Sequence, residues 1–190
     1  MKNLKTQISK HRLSDVKTSK IGSGTQIWQY SVVLEGAEIG ENCNLNCHTF
    51  IENDVKIGNY VTLKCGVFLW NGTIIEDNVF IGPNVTFTND KYPRSKKYLE
   101  KPQKIVIRNN ASIGANSTIL GGVEIGAYAL IAAGSLVTRS VPAYALVKGS
   151  PAEVFGWVDE KGNKLKSVGD KFLSEDGEVF KLINNSLIKI

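Results

Sequence analysis

A large aliphatic or aromatic side chain recurs at every sixth position from Ile21 to Phe87, through Ile27, Val33, Ile39, Leu45, Ile51, Ile57, Leu63, Leu69, Ile75 and Ile81. The beat returns at Ile107, Ile113, Ile119, Ile125, Ile131 and Val137. Small or β-branched residues follow four positions later, as at Thr25, Ser31, Ala37, Cys43, Val55, Ala111, Ser117, Val123, Ala129 and Val141. A helix turning roughly 100° per residue would scatter a period of six over three faces. A strand keeps it on one face, because six is even, and the small residue two places before each marker shares that face. One such strand buries almost nothing, so a fixed short period predicts a solenoid whose repeats cover one another. Three strands make an 18-residue triangular coil, and the eighteen markers predict an all-β chain: a parallel β-helix of about six coils.

The same register is a ruler, since residues 18 apart should lie above one another at about 4.8 Å. Its breaks divide the chain. Residues 1–20 lack the repeat and are expected to be an extended lead-in, with Leu13 and Val16 closing the first coil. Residues 21–150 form the β-helix. Between Phe87 and Ile107 the step carries 14 extra residues, an inserted loop (88–106) of the kind that sits on a functional face. After Ala143 the beat fades, and 151–190 read as a small β appendage for packing and oligomerisation. Its expected parts are a strand at Val154 to Val158, a turn at Asp159 to Asn163, and a last strand near Val179 to Ile183 or Leu187 to Ile190.

Charge sharpens the loop. The net charge of +5 is too small to argue for nucleic acid. Six basic residues (Lys91, Arg94, Lys96, Lys97, Lys101, Lys104) against Asp90 and Glu100 put most of it between Thr88 and Lys104. The charged N-terminus is no secretory signal and no apolar run is long enough to span a membrane, so a cytoplasmic protein without a membrane partner is expected. Cys47 and Cys65, 18 apart, should stack at a distance compatible with a disulfide, although a reducing cytosol would keep them as thiols. With only His11 and His48 and no paired-ligand spacing, no metal is expected.

Repeats such as Ile39-Gly40-Glu41-Asn42-Cys43-Asn44 and Ile125-Gly126-Ala127-Tyr128-Ala129-Leu130 resemble the hexapeptide repeats of acyltransferases, which implies a left-handed winding. The runs Cys47 to Asp54, Lys64 to Val67 and above all Ile81 to Ser95 resemble one branch, the nucleotide-linked amino-sugar N-acetyltransferases, closest to those acting on dTDP-3-amino-3,6-dideoxyhexoses. That resemblance implies acetyl-coenzyme A as donor, a nucleotide sugar under the inserted loop, and a homotrimer with active sites between subunits. Some members carry a second, ketoisomerase domain; if the chain is complete, a single reaction is expected. Alternatives are a UDP-linked amino-sugar acceptor, O-acetylation of a sugar, or a non-catalytic binding solenoid. A carbonic anhydrase on this fold would need three histidine ligands and is excluded.

The chemistry needs a neutral amine against a thioester carbonyl, a stabilised oxyanion and a destination for one proton. His48 is the candidate base or amine-orienting group, with Tyr30 below it and Gly66 leaving room above. Asn53, Asn71 and Asn89 form an 18-residue ladder that is structural at its lower rungs, while Asn89, at the top, can face the sugar amine. Asp90 could orient the substrate, Trp70 could wall the sugar or base, and Asn71, Lys91, Tyr92 and Arg94 complete the acceptor set, Arg94 as the stronger phosphate contact. The stacked small residues Gly114 under Ala132 and Ala115 under Ala133 suit the pantetheine arm. The coenzyme's phosphate falls to Arg139 and Lys148, because Glu153 stands where the family often has a basic residue.

Overall fold

The computed structural model describes residues 7–97, 99–183 and 186–190, and among them every regular element is a strand, most of two residues. The strands stack into three parallel faces around one axis. The first face rises through Ser9–Lys10, Gln26–Ile27, Asn44–Leu45, Thr62–Leu63, Phe80–Ile81, Ser112–Ile113, Leu130–Ile131 and Ala145–Gly149. The second rises through Asp15–Val16, Val32–Val33, Phe50–Ile51, Phe68–Leu69, Thr86–Phe87, Thr118–Ile119 and Leu136–Val137. The third rises through Glu38–Ile39, Lys56–Ile57, Thr73–Ile75, Ile105–Ile107 and Glu124–Ile125. This is the left-handed parallel β-helix expected.

Pairing follows the ruler: Gln26 lies opposite Asn44 and Glu38 opposite Lys56, each 18 positions apart. Phe80 meets Ser112, 32 positions on, which is one coil plus the 14-residue insertion. The insertion therefore leaves the register intact above it. Two spacings differ at the ends. Ser9–Lys10 pairs with Gln26–Ile27 and Asp15–Val16 with Val32–Val33 at 17, so residues 9–16 are a coil of their own rather than an extended lead-in. That one-residue shift hides the coil from a count by sixes, and the second face has seven rungs instead of six. Val16 packs on the core while Leu13 points to solvent, so only the former helps close the end. Residues 1–6 of the lead-in lie outside the described residues. At the top, Leu130 meets Leu146 after 16 positions.

Every marker from Ile27 to Val137 is buried, and Ile21 is half-buried at the open end. All ten small positions named above are buried too. Where they carry a hydroxyl it is satisfied by a corner carbonyl one coil on: Thr25 Oγ1 donates to Gly40 O at 2.8 Å and Ser31 Oγ to Asn46 O at 3.0 Å. Most hydroxyls in this apolar column are thus paired, while that of Thr49, four positions after Leu45, is buried without a partner among the described residues.

The corners are made by residues in left-handed backbone. On the edge joining the first and second faces these are Tyr30, His48, Gly66, Asn84, Asn116 and Gly134, with φ between 55° and 76°. Asparagine and glycine suit that region and tyrosine and histidine do so less readily, so Tyr30 and His48 occupy corners against the ordinary preference.

At the C-terminus Ala152–Trp157 folds back antiparallel on Ala145–Gly149. The Asp159 carboxylate closes the next turn by accepting the backbone N–H groups of Lys161 and Asn163. Lys166–Val168, Lys171–Leu173, Val179–Ile183 and Ser186–Lys189 then form an antiparallel sheet. Both expected positions for a final strand are therefore occupied, as the two arms of one hairpin. Lys166–Val168 is exposed throughout and lacks the alternation that would announce it. Buried Phe180 seats this sheet against Tyr144, which stacks on Tyr128 with ring centroids 4.9 Å apart.

Candidate active site

The site residues fall on two edges of the prism, at opposite margins of the second face. The first edge, between the first and second faces, carries His48 and the small-residue column. The second edge, between the second and third faces, carries Asn53, Asn71 and Asn89 and emits the loop. Five residues of extended chain separate His48 from Asn53, about 16 Å.

On the first edge the His48 imidazole is exposed and stacks on Tyr30, centroids 5.0 Å apart at 30°. Its ring nitrogens have no hydrogen-bond partner among the described residues; only its backbone N–H is engaged, with Gln29 O at 3.3 Å. Gly66 does lie above it, held there by its positive φ and by the Asn84 amide oxygen, which an added Cβ would meet at 2.3 Å. Part of the room over the imidazole is therefore taken by Asn84, which the sequence motifs did not single out.

Higher on this edge the small residues are a steric requirement. A Cβ on Gly114 would come within 2.5 Å of Ala133 N. At the corner between the third and first faces, the equivalent backbone N–H groups are capped from the rung above: Glu41 N–H by Asn59 Oδ1, Asn59 N–H by Asp77 Oδ1, and Asp77 N–H by Asn109 Oδ1. Ala115 and Ala133 occupy the same position on the first edge with no such acceptor above them, and their N–H groups have no partner among the described residues. A column of free donors flanked by Gly114 and Ala132 suits an amide-bearing chain.

On the second edge the ladder is structural where expected. Asn53 Oδ1 accepts Gly36 N–H at 3.3 Å, Asn71 Oδ1 accepts Asp54 N–H at 3.2 Å, and the Asn71 N–H donates to Glu52 Oε2 at 2.6 Å. Asn71 is thus engaged within the coil and is withdrawn from the acceptor set. The half-buried Asn89 side chain has no such bond among the described residues. Its backbone carbonyl accepts Gln103 N–H at 3.1 Å, and Gly121 N–H and Gly122 N–H tie the loop base through Thr88 Oγ1 and Lys104 O. The root of the loop is fixed, and Gln103, which no motif announced, does part of the fixing.

The Trp70 indole N–H donates to Phe87 O at 2.9 Å, and the ring packs on Phe50 and Phe68. With its polar end engaged, it can serve a ligand only as a wall. Asp90 Oδ1 accepts Tyr92 N–H at 2.8 Å, and Arg94 donates to Pro93 O at 2.9 Å. Lys91, Tyr92 and Arg94 are exposed.

The two cations assigned to the coenzyme's phosphate stand on different edges and both flank Glu153. Arg139 pairs with its carboxylate at 2.7 Å, and Lys148 lies opposite it in the strand pair with Nζ over the Phe155 ring, 3.2 Å from the centroid. Lys164 reaches the same ring at 4.3 Å, a third cation the sequence reading missed because the appendage has no repeat to place it. No cluster of histidine, cysteine and carboxylate suited to a metal occurs among the described residues. A groove of about 580 Å³ on the third face is lined by Lys20, Glu38, Lys56 and Glu76, but both lysines are paired with Glu38.

Comparison with known proteins agrees with this geometry. The family model described as bacterial transferase hexapeptide (six repeats) matches residues 18–53, 54–89 and 104–139. The dTDP-3-amino-3,6-dideoxy-alpha-D-galactopyranose 3-N-acetyltransferase of Aneurinibacillus thermoaerophilus is 50% identical over 171 residues, 90% of this chain and 89% of that protein. The bifunctional protein GlmU of Clostridioides difficile is 30% identical over 176 residues, 80% of this chain but 35% of that longer protein. Among solved structures, a hexapeptide-repeat acetyltransferase of Vibrio cholerae, complexed with acetyl-coenzyme A, aligns with a TM-score of 0.52 at 30% identity over 60% of this chain and 68% of that one. A UDP-N-acetylglucosamine acyltransferase from Bacteroides fragilis, at 22% identity and a TM-score of 0.60 over 72% of this chain and 55% of that one, shares the fold. The six-residue beat, the three parallel faces and these matches together place the chain in the bacterial hexapeptide-repeat transferase family.

Proposed function

We propose that the protein transfers the acetyl group of acetyl-coenzyme A to the 3-amino group of a dTDP-3-amino-3,6-dideoxyhexose, an activated sugar for surface glycans. The observation that carries this reading is the 50% identity, along nine-tenths of the chain, to an enzyme named for that reaction. The geometry adds a donor column on one edge and, on the other, a free asparagine amide beneath a basic loop suited to a nucleotide diphosphate.

A single copy holds the two halves too far apart to react. The outer surface of the face between them carries an apolar patch of Val32, Phe50, Phe68 and Trp70, with Leu136 higher up beyond Thr86 and Thr118, and Phe68 is 46% exposed. An exposed apolar face of this kind marks an association surface. Packing it around a threefold axis buries it and sets the first edge of one copy against the second edge of the next, giving a homotrimer with three intersubunit sites. The enzyme is taken to be cytoplasmic, where both substrates occur, and no helix in the described residues is long and apolar enough to cross a membrane.

Height along the axis supports the following division of roles. Asn84 and Asn89 flank the same rung, Thr86–Phe87, so across the interface they stand level and can hold the amine between two amides. Ala115 and Ala133 lie just above Asn84 and take the pantetheine amides, bringing the thioester down to that level. His48 is two rungs below, about 10 Å. It contacts the acceptor's nucleotide side and does not take the proton, which passes from the attacking nitrogen to the departing coenzyme A thiolate as the tetrahedral oxyanion collapses. This replaces the base or amine-orienting role expected of His48, whose ring nitrogens have no hydrogen-bond partner among the described residues to orient them.

A thiol-release assay with acetyl-coenzyme A and a panel of dTDP- and UDP-linked amino sugars tests the reading. Turnover is expected with dTDP-3-amino-3,6-dideoxyhexoses and not with the UDP-linked sugars. Release with UDP-linked sugars alone would overturn the acceptor, and release with none would overturn the reaction.

A further inference from the structure

Cys47 and Cys65 occupy equivalent positions in successive coils of the first edge, at the foot of the column that continues through Pro83, Ala115 and Ala133. Their Sγ atoms are 3.1 Å apart, and both side chains are partly exposed. The third cysteine contrasts with them. Cys43 is buried in the core, 1% exposed, with its thiol against Gly58 O at 3.1 Å. Neighbouring parallel strands put the two Cα atoms about 4.8 Å apart, inside the range a disulfide bridges without backbone movement. Gly66 and His48 follow directly, so a bond here would tie two corners in the left-handed region to one another.

We propose that Cys47 and Cys65 form a modification site, a dithiol that closes to an intrachain disulfide by exchange with a low-molecular-weight disulfide. One thiolate attacks a sulfur of the small disulfide, forming a mixed disulfide and releasing one small thiolate. The second cysteine thiolate then attacks the protein sulfur of that mixed disulfide, forming the Cys47–Cys65 bond and releasing the other small thiolate. Two electrons pass from the protein to the small disulfide, and the two thiol protons leave with the products. The second step is fast because the resolving sulfur is already in contact, so the mixed disulfide does not accumulate. The dithiol lies on the edge that the proposed trimer turns toward a neighbouring copy, next to His48, but its chemistry does not rest on the acetyl-transfer reading.

Oxidised glutathione serves as the probe on the intact native protein, read by intact mass and by thiol titration before and after denaturation. The reduced protein should show two thiols reactive in the native state and the third only after unfolding. After oxidation the native state should show none, with a mass lower by two hydrogens, no glutathionyl adduct, and full reversal by dithiothreitol. Cys65→Ser and Cys47→Ser should each instead hold one glutathionyl group. Closing an 18-residue loop should raise the melting temperature of the oxidised wild type by about 6–12 °C. Stable glutathionylation of the wild type under conditions that modify Cys65→Ser would overturn the proposal. So would a bridge mapped to Cys43, a disulfide between chains, or a fall in melting temperature on oxidation.

Discussion

Mixing two inactive variants tests whether the site belongs to two copies of the chain. Asn89→Ala removes the amide on the second edge, and Ala133→Trp fills the donor column on the first with an indole at an exposed position. The two edges are separated by the width of the second face, about 16 Å, whereas acyl transfer requires the reacting atoms to approach to about 3–3.5 Å. One chain therefore cannot use its own donor column with its own Asn89. Each variant alone should lose about 10² or more in turnover. In trimers assembled at random from equal amounts, a site is intact when an Asn89→Ala chain supplies the first edge and an Ala133→Trp chain the second, which holds for about one quarter of sites. Co-expressed and purified through two tags, which leaves only mixed trimers with one intact site in each, the protein should recover roughly one third of wild-type thiol release at saturating substrate, about 30-fold above either parent. If mixed trimers with wild-type melting temperatures show only the average of the two residual activities, the intersubunit site is wrong.

The other predictions separate scaffold from site. Phe87, 2% exposed at the coil from which the loop departs, should cost about 3–5 kcal/mol when cut to alanine, measured by urea unfolding; a loss below about 1 kcal/mol would contradict its place in the core. Asn71→Ala leaves the Asp54 N–H without its acceptor and should cost about 1 kcal/mol with kcat within about threefold of wild type. Burial alone would push the Asp159 carboxyl up, but the backbone N–H groups of Asn163 and Lys161 and the Asn163 amide hold it below the ordinary carboxylate value. A depressed folded-state pKa stabilises above the unfolded value of about 3.9 and is lost as pH falls through the folded one. Acid titration followed by Trp157 fluorescence should therefore show the appendage loosening below about pH 4, a step that Asp159→Asn should remove. Arg94→Ala should raise KM for the nucleotide sugar about tenfold and weaken its salt dependence, with an unchanged melting temperature; an effect confined to kcat would move Arg94 out of the binding surface.

Much of this molecule is periodic, and periodicity is legible. The inward column from Ile27 to Val137 and the small positions beside it were all identified from spacing, because a stacked solenoid repeats the same local environment in every coil. Where the period slips, legibility fails. The coil at residues 9–16 runs at 17. Its side chains are mostly exposed at the open end, so no apolar marker announces it. The strands at Lys166–Val168 and Lys171–Leu173 pack on one side only, around Phe180 and Trp157, and carry no alternation strong enough to see. The candidate site was legible by column but not by contact. Asn71 belonged to the right ladder, yet its amide is engaged with Asp54; Arg139 was a plausible anion partner, yet it faces Glu153.

The sequence by itself determined the coil, the ruler of 18 and the place where the loop must leave. These follow from one short-range fact: an even period puts every marker on the same side of a strand. Only the tertiary structure decided which polar groups are engaged and which remain free. It tied the Asn71 amide to Asp54 and left the Asn89 side chain without a partner among the described residues. It left the Ala115 and Ala133 N–H groups without the side-chain caps found at the corner of Asn59, Asp77 and Asn109. Those outcomes depend on what the neighbouring coil presents at about 4.8 Å, and a side chain's partner across that gap is not written in its own repeat.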